Sequence, residues 1–261
     1  MCDALVALRP ATAGPWSLFA KNSDRPPGER QVYEWQPPRR ERSTTRATYI
    51  EVEAARTDTL GCLISRPTWM WGAEHGVNEA SVAVGNTTVY TLLDPRRSPP
   101  ALTGMDLVRL ALERASTAAD AVEVITTMIE RYGQGGSGQQ VDVDGQARPY
   151  WSSFLVTDCV TAFVVDTSGA AWAVEQVQEV YTAAQAAGPT PEAFHTEASW
   201  HQLKGNSGRG RAAADVGQPL PVSAHFISTV TMASRGSSAT RGQITFARTK
   251  AGLLSRILSP L

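Results

Sequence analysis

Residues 2–25, CDALVALRPATAGPWSLFAKNSDR, contain two short apolar segments separated by a turn. Residues 3–8 and 16–20 each have the character of a β-strand, and residues 10–15 supply two prolines and a glycine between them. A hairpin brings the start of its first strand beside the end of its second. The polar residues 21–24 are therefore expected to lie next to Cys2.

The rest of the chain predicts an α+β fold rich in strands. Residues 105–114 and 118–132 repeat apolar side chains at helical spacing, with Thr117 as N-cap of the second helix and Gly133 as its end. The polar, proline-rich residues 25–46 are predicted to be a connection. Strand candidates are residues 48–54, 59–65, 81–90, 150–158, 161–166 and 171–177, the last three forming an antiparallel meander.

Composition changes near residue 178, where Ala, Ser, Gly, Pro and Thr begin to dominate and clear periodicity is lost. We therefore predict a first domain over residues 2–177. Residues 178–261 are left as an unassigned C-terminal segment, either divergent or truncated.

Composition also excludes several classes of function. With 261 residues, 42% of them hydrophobic, the chain is long enough to bury a large core. A net charge of -1 argues against a nucleic-acid-binding surface. No apolar run reaches the roughly 20 residues needed to cross a bilayer, and no signal peptide is visible, so we expect a cytoplasmic protein without a membrane partner.

The cysteines and histidines predict neither a disulfide framework nor a metal site. Cys2, Cys62 and Cys159 are odd in number and widely spaced, and the four histidines form no ligand-spaced pair. Cys62 and Cys159 lie in apolar, strand-like segments and are interpreted as core thiols. No metal and no cofactor are expected.

Cys2 is the strongest candidate for a nucleophile. A small second residue permits removal of the initiator methionine, which would give Cys2 a free α-amino group. The ordinary pKa of such an amine is about 7.7–8.0, which suits a base that deprotonates the thiol of the same residue. No catalytic histidine is then required.

Two further motifs supply groups that suit this chemistry. In residues 21–25, KNSDR, an acidic residue can hold the new amino terminus, and a basic residue near the thiol favours the thiolate. In Gly85-Asn86, a backbone N–H and a side-chain amide can donate to the oxyanion formed when a thiolate attacks an amide. Each motif alone is also typical of an ordinary turn.

The glycine-rich residues 133–138, GQGGSG, do not favour a phosphate-binding loop. Such loops follow a strand and open a helix, whereas this segment closes a predicted helix. His75 is interpreted as structural.

In order and spacing these motifs resemble the secernin and dipeptidase family of cysteine N-terminal-nucleophile hydrolases, and more distantly the penicillin V acylases and bile-salt hydrolases. The resemblance covers residues 2–177. The blocks that carry it are MCDALVALRPATA (1–13), FAKNSDRPP (19–27), SRPTWMWGAEHGVNE (65–79), VGN (84–86), DLVRLALERA (106–115), ERYGQGG (130–136) and SSFLVTD (152–158).

The resemblance implies a role for each of four residues. Cys2 is the nucleophile with its α-amine as base, Asp24 orients that amine, Lys21 stands beside the nucleophile, and Asn86 is the oxyanion-hole asparagine. It also implies a four-layer αββα sandwich and hydrolysis of amide bonds in small peptides or acyl-amides through a thioester.

The sequence departs from the family after residue 177. Family members are longer, and their second oxyanion-hole asparagine and a further arginine come from the part that does not align here; Asn206 is the one weak candidate. A second hypothesis therefore stays open, a catalytically impaired, secernin-like binding or scaffold protein.

Overall fold

The computed structural model of the chain describes residues 2–9, 11–12, 16–26, 28–40, 43–140, 146–184, 226–231, 243–248 and 254–259. These residues form an α+β fold with two large sheets and two α-helices, together with a short 3-10 helix at Pro95–Arg97. The helices are α1 (Gly104–Arg114) and α2 (Ala118–Tyr132). The strands are β1 (Cys2–Ala7), β2 (Ser17–Ser23), β3 (Gln31–Gln36), β4 (Thr44–Arg46), β5 (Glu51–Glu53), β6 (Cys62–Pro67), β7 (His75–Asn78), β8 (Ala83–Val89), β9 (Trp151–Thr157), β10 (Ala162–Ser168), β11 (Ala171–Val177), β12 (Val180–Ala184), β13 (Phe226–Thr231), β14 (Gln243–Arg248) and β15 (Leu254–Ser259).

The strands form two large sheets and one small ribbon. Sheet A has the order β12-β1-β2-β13-β14-β15, sheet B has the order β11-β10-β9-β8-β7-β6-β3, and β4 pairs with β5. Neighbouring strands are antiparallel except β2 and β13, which are parallel. The proposed domain boundary at residue 177 stays a prediction.

The predicted N-terminal hairpin is confirmed. Strand β1 pairs antiparallel with β2, and Cys2 lies opposite Ser23. Strand β2 extends three residues beyond the predicted end, so that Lys21 is within the strand and not in a turn. Side chains alternate between faces, which places Cys2 and Lys21 on the same buried face of sheet A.

An apolar core joins the inner faces of the two sheets. Sheet A contributes side chains of β1 and β2, and sheet B contributes side chains of β8 to β11. The members are Ala4, Val6, Leu8, Phe19, Ala83, Leu155, Ala162, Val164 and Val177. Burial of this kind stabilises a fold by about 25 cal/mol per Å² of apolar surface and fixes the distance between the sheets.

The two predicted helices are confirmed within one residue at each end, and they cover the outer face of sheet B. A capping box begins each helix, with Thr103 and Asp106 in α1 and with Thr117 and Asp120 in α2. Gly133, at a φ of 72°, ends α2. Within the described ranges, helices cover sheet B only, so the described layers are one of helices and two of strands.

The predicted meander of β9, β10 and β11 is confirmed, but two segments differ from expectation. The proline-rich connection contains strand β3, whose Val32, Tyr33 and Trp35 favour an extended edge strand of sheet B. The strand expected over residues 48–54 is limited to the three residues of β5.

The interpretation of Cys159 as a core thiol was wrong, whereas that of Cys62 is confirmed. Cys62 is fully buried in β6. Cys159 lies half-buried in the turn between β9 and β10, because the Asp158 carboxylate accepts from the backbone N–H groups of Val160 and Thr161 and so ends the strand. Neither described helix is long and apolar enough to cross a bilayer.

Candidate active site

Cys2 begins β1 and is 9% exposed. The neighbouring strand brings the Lys21 ammonium to it, with Lys21 Nζ 3.8 Å from Cys2 Sγ. The contact follows from the hairpin register, since Lys21 lies on the same face two residues before Ser23, the partner of Cys2. The structure thus brings together the predicted nucleophile and the predicted basic residue.

The ammonium of Lys21 is held in place by two further contacts. Lys21 Nζ donates to Ser23 Oγ at 2.6 Å and to Glu74 Oε2 at 2.6 Å, and the side chain is 1% exposed. An ammonium has three N–H donors, so all three are occupied, one of them by the thiol. We call Cys2, Lys21, Ser23, Arg25 and Glu74 the Cys2 cluster.

Glu74 joins two cations in this cluster. Arg25 Nη1 lies 2.9 Å from Glu74 Oε1; no N–H is directed at that oxygen, so the contact is an ion pair and not a hydrogen bond. Burial opposes ionisation of Glu74, but the charges of Lys21 and Arg25 outweigh it and lower the pKa of the carboxyl. Glu74 is therefore a carboxylate at neutral pH.

Arg25 connects the Cys2 cluster to the glycine-rich segment 133–138. Its Nη2 donates to the Gly138 carbonyl at 2.7 Å, and its Nε donates to Glu29 at 2.5 Å. Any Cβ on Gly138 would lie 2.2 Å from the ring of Tyr150. The glycines thus allow this segment to pack closely beside the site.

His75 lies on the inner face of sheet B, and neither ring nitrogen has a hydrogen-bond partner. Burial and then the nearby Lys21 ammonium lower the pKa of His75 to about 3, so the ring is neutral at neutral pH. Its ring also meets Tyr33 edge-on, with centroids 6.4 Å apart. These contacts suit the structural role that the sequence favoured.

Asn86 lies on the helix-facing side of sheet B. Its Nδ2 donates to Met105 Sδ at 3.4 Å and to Ser152 Oγ at 3.3 Å, its backbone N–H donates to the Glu74 carbonyl at 3.2 Å, and its Oδ1 has no partner. The described contacts include no hydrogen bond between Asn86 and Cys2. Its role at an oxyanion stays a prediction.

Asp24 follows β2 directly and is half-buried. The group that it is predicted to orient is the α-amine of Cys2, which exists only after Met1 is removed. Met1 lies outside the described residues, as does Asn206. The roles of Asp24 and Asn206 therefore stay predictions.

Sequence reasoning missed Glu74 and Ser23. One signal was available for Glu74, since a lone acidic residue inside the apolar block WMWGAEHGV is expected to be buried and to need a cation. In the described part of the chain, no group of three His, Cys, Asp or Glu side chains is arranged to hold a metal ion.

Comparison with solved structures finds partial matches of low sequence identity. No family model matches the chain. Two variant forms of conjugated bile acid hydrolase from Clostridium perfringens match with TM-scores of 0.46 and 0.45 at 14% and 12% identity, each over 69% of this chain and over 53% and 52% of theirs. Penicillin V acylase from Agrobacterium tumefaciens matches with a TM-score of 0.35 at 11% identity, over 67% of this chain and 49% of its own. The chain spans about half the length of these structures.

Proposed function

We propose that the chain is a cysteine amidohydrolase of the N-terminal-nucleophile type, with Cys2 as its nucleophile. The observation that carries this proposal is the contact between Lys21 Nζ and Cys2 Sγ at 3.8 Å in a buried, ion-paired cluster. A cation at this position stabilises a thiolate relative to a thiol. The free α-amine that follows removal of Met1 would accept the thiol proton.

The proposed reaction has two steps. The Cys2 thiolate attacks the carbonyl carbon of an amide, a C–S bond forms, and the electrons of the C=O π bond move to oxygen. Collapse of this intermediate breaks the C–N bond, and the amine leaves with a proton from the α-ammonium of Cys2. Water then attacks the thioester with the α-amine as base, which releases the carboxylic acid and regenerates the thiol.

The proposed substrates are small peptides, so that the activity is that of a dipeptidase. The family resemblance of residues 2–177 supports this choice, and other small acyl-amides belong to the same chemical class. We further propose a cytoplasmic protein with a four-layer αββα sandwich. In it, Asn86 donates a hydrogen bond to the oxyanion and Asp24 orients the α-amine of Cys2.

The test is hydrolysis of a panel of dipeptides by the protein and by Cys2→Ala, after intact mass has shown loss of Met1. Cys2→Ala should abolish turnover and leave the melting temperature within about 2 °C. Cys159→Ala is the matched control, since Cys159 is remote from the Cys2 cluster, and it should keep full activity. Turnover by Cys2→Ala would contradict the proposal.

One observation favours the second candidate, a secernin-like binding or scaffold protein with an impaired site. The Asn86 amide binds Met105 and Ser152, not Cys2. On this account no dipeptide is hydrolysed, and Cys2 is alkylated no faster than Cys159. Selective alkylation of Cys2 together with hydrolysis of a dipeptide would exclude this second candidate.

A further inference from the structure

The inner face of sheet B changes from apolar to polar at Gly85. One row of directly paired residues crosses the sheet here from β3 to β10, and its members are Tyr33, Ser65, His75, Gly85, Leu155 and Val164. Directly paired residues of antiparallel strands project from the same face of a sheet. Leu155 and Val164 belong to the apolar core between the sheets. The three residues on the other side of Gly85 all carry polar groups.

Gly85 brings the polar half of this row into contact with the Cys2 cluster. A Cβ on Gly85 would lie 3.2 Å from His75 Cβ and 3.2 Å from Lys21 Cγ. The two side chains therefore meet at the same glycine, His75 from sheet B and Lys21 from sheet A. The ammonium of Lys21 in turn contacts Cys2 Sγ. Packing between the sheets thus makes His75 a direct neighbour of the cation beside the proposed nucleophile.

Two side chains here have buried polar atoms without a hydrogen-bond partner in the part of the chain that the structure describes. His75 is 3% exposed, and neither of its ring nitrogens is paired. Gln31 lies on the same face two residues before Tyr33; its Oε1 accepts from Ser65 Oγ at 3.2 Å, but its Nε2 has no acceptor. Buried polar groups in proteins are nearly always paired, so these atoms require an explanation. We call Gln31, Tyr33, Ser65 and His75 the polar row.

The unpaired atoms match an uncharged amide group. The ring of His75 is neutral at neutral pH and therefore offers one N–H donor and one lone pair, and Gln31 Nε2 adds further donors. An amide has a carbonyl oxygen for a donor and an N–H for the lone pair. A carboxylate has no N–H, and an ammonium has no acceptor. The polar row also contains no charged side chain that would compensate a charged ligand.

We propose that His75 and Gln31 bind a second, uncharged amide group of the substrate, beside the amide that Cys2 attacks. The inference rests on the proposed amidohydrolase function and deepens it, because it names the substrate class: small peptides that carry a carboxamide side chain or a further peptide bond. The polar row begins at the edge strand β3, where Gln31 and Tyr33 are half-buried, and ends at the Cys2 cluster. It thus runs from the edge of sheet B inward to the nucleophile.

The test compares dipeptides that differ in one side chain of similar length. Glutaminyl-alanine carries a carboxamide, glutamyl-alanine a carboxylate and methionyl-alanine a thioether, and the three reversed dipeptides place these groups on the other side of the peptide bond. Calorimetry measures their binding to Cys2→Ala, which lacks the proposed nucleophile. In at least one of the two orders, the glutamine dipeptide should bind about tenfold more tightly than its glutamate and methionine counterparts, as expected for one net hydrogen bond.

Second substitutions in Cys2→Ala show whether the polar row causes this preference. His75→Leu should bring the glutamine and methionine dipeptides to within twofold of each other, Gln31→Met should reduce the preference at least threefold, and His75→Asn, which keeps a donor and an acceptor, should retain part of it. Gln36→Met is the matched control, because Gln36 also lies on β3 but accepts from Arg109 of α1. It should leave the preference within twofold. The ratio of two affinities in one variant does not depend on the folded fraction.

Failure of this inference can be told apart from failure of the proposed function. Absence of binding, equal affinities for the three side chains in both orders, or a preference that survives both His75→Leu and Gln31→Met would overturn the role of the polar row. An equal loss in Gln36→Met would also overturn it, since the effect would then come from β3 as a whole. Hydrolysis of the same dipeptides by the unmodified protein tests the proposed function separately. A preference that depends on His75, without any hydrolysis, would contradict the amidohydrolase and support the binding site.

Discussion

Cys2 and Cys62 are both buried thiols beside ion pairs, yet the charge in contact with Cys2 is a cation, whereas the strongest charge effect at Cys62 comes from an anion. The charged atom in contact with Cys2 Sγ is the ammonium nitrogen of Lys21, at 3.8 Å. Cys62 lies near the Glu113 carboxylate; burial, followed by this charge, raises the pKa of its thiol to about 12, although the charges of Arg109 and Arg39 act in the opposite direction. Burial is common to the two thiols, so the proposed reactivity of Cys2 depends on the cation in contact with its sulfur.

The ion pairs beside the two thiols also differ, in the hydrogen bonds that their carboxylates accept. We call Glu113, Arg39 and Arg109 the Glu113 cluster. Arg39 makes two hydrogen bonds of 2.8 and 2.7 Å to the Glu113 carboxylate, and Arg109 adds one of 2.8 Å. Arg109 also donates to the Trp71 carbonyl and to Gln36. Each carboxylate oxygen thus has a hydrogen-bond partner, as is typical of a structural ion pair.

The Cys2 cluster instead lies beside buried polar groups whose hydrogen-bonding atoms lack partners. The Asn86 Oδ1 and both ring nitrogens of His75 have no partner. An unsatisfied polar group in a protein interior costs stability, about 1–3 kcal/mol each. The amidohydrolase site that we propose would account for this cost, whereas the contacts of the Glu113 cluster join α1 to its neighbours.

The largest expected effect tests whether the Glu113 cluster is purely structural. Glu113→Ala leaves the buried guanidinium of Arg109 and the half-buried guanidinium of Arg39 without a carboxylate and should lower the free energy of unfolding by about 3 kcal/mol. Urea denaturation measures this loss. The iodoacetamide rate of Cys2 in the folded fraction should stay within twofold, and a tenfold change would break the proposed separation of the two clusters.

The next effect concerns pH and His75. The pKa of His75 is about 3 in the folded protein and about 6.5 when unfolded, so the unfolded chain binds an additional proton between these values. Stability should therefore fall as the pH drops from 6.5, by up to about 1.4 kcal/mol per pH unit.

His75→Leu removes this proton uptake, and the slope between pH 6.5 and 5 should become shallower by that amount. The lowered pKa of Glu74 contributes only below its ordinary value of 4.5, where stability is lost as the pH falls, so it does not disturb this window. An unchanged slope in His75→Leu would show that the ring is protonated in the folded protein.

A smaller effect is expected at Lys21. Lys21→Met keeps an unbranched side chain one atom shorter and removes the charge proposed to favour the thiolate, so the iodoacetamide rate of Cys2 at pH 7 should fall about tenfold, equivalent to about 1.4 kcal/mol. Arg40→Met, which removes an exposed cation, is the control. If the alkylation rate of Cys2 is the same in both variants, the Lys21 ammonium does not activate the thiol, and the proposed function loses its main support.

The smallest effect is a loss of stability at a position away from both thiols, which serves as the control for the variants above. Thr117→Ala removes the hydroxyl that accepts from the Asp120 N–H at the start of α2 and should cost about 1 kcal/mol. Thermal unfolding measures it. Neither thiol should change its alkylation rate, and a change at Cys2 would mean that general loosening of the fold alters its reactivity.

Local patterns in the sequence predicted the parts of the fold that depend on local interactions. Helices α1 and α2 follow from apolar spacing and caps, and the contact of Lys21 with Cys2 follows from one hairpin. The turn that leaves Cys159 half-buried depends on hydrogen bonds to the Asp158 side chain, which alternation of apolar residues does not reveal.

The remainder of the site depends on contacts between distant segments. Glu74 is 53 residues from Lys21 in the sequence, and the two meet only because sheets A and B face each other. Gln31 and Ser65 meet because β3 pairs with β6. No spacing rule within one element predicts such contacts, so these residues became candidates only in the folded structure.

The most direct test of the central claim is the alkylation of all three cysteines in the native protein. The protein, with loss of Met1 verified by intact mass, is treated with iodoacetamide at pH 7, and peptide mapping follows each site over time. Cys2 should react at least tenfold faster than the half-buried Cys159, and Cys62 should remain unmodified. Reaction of Cys2 no faster than that of Cys159 would contradict the assignment of Cys2 as an activated nucleophile.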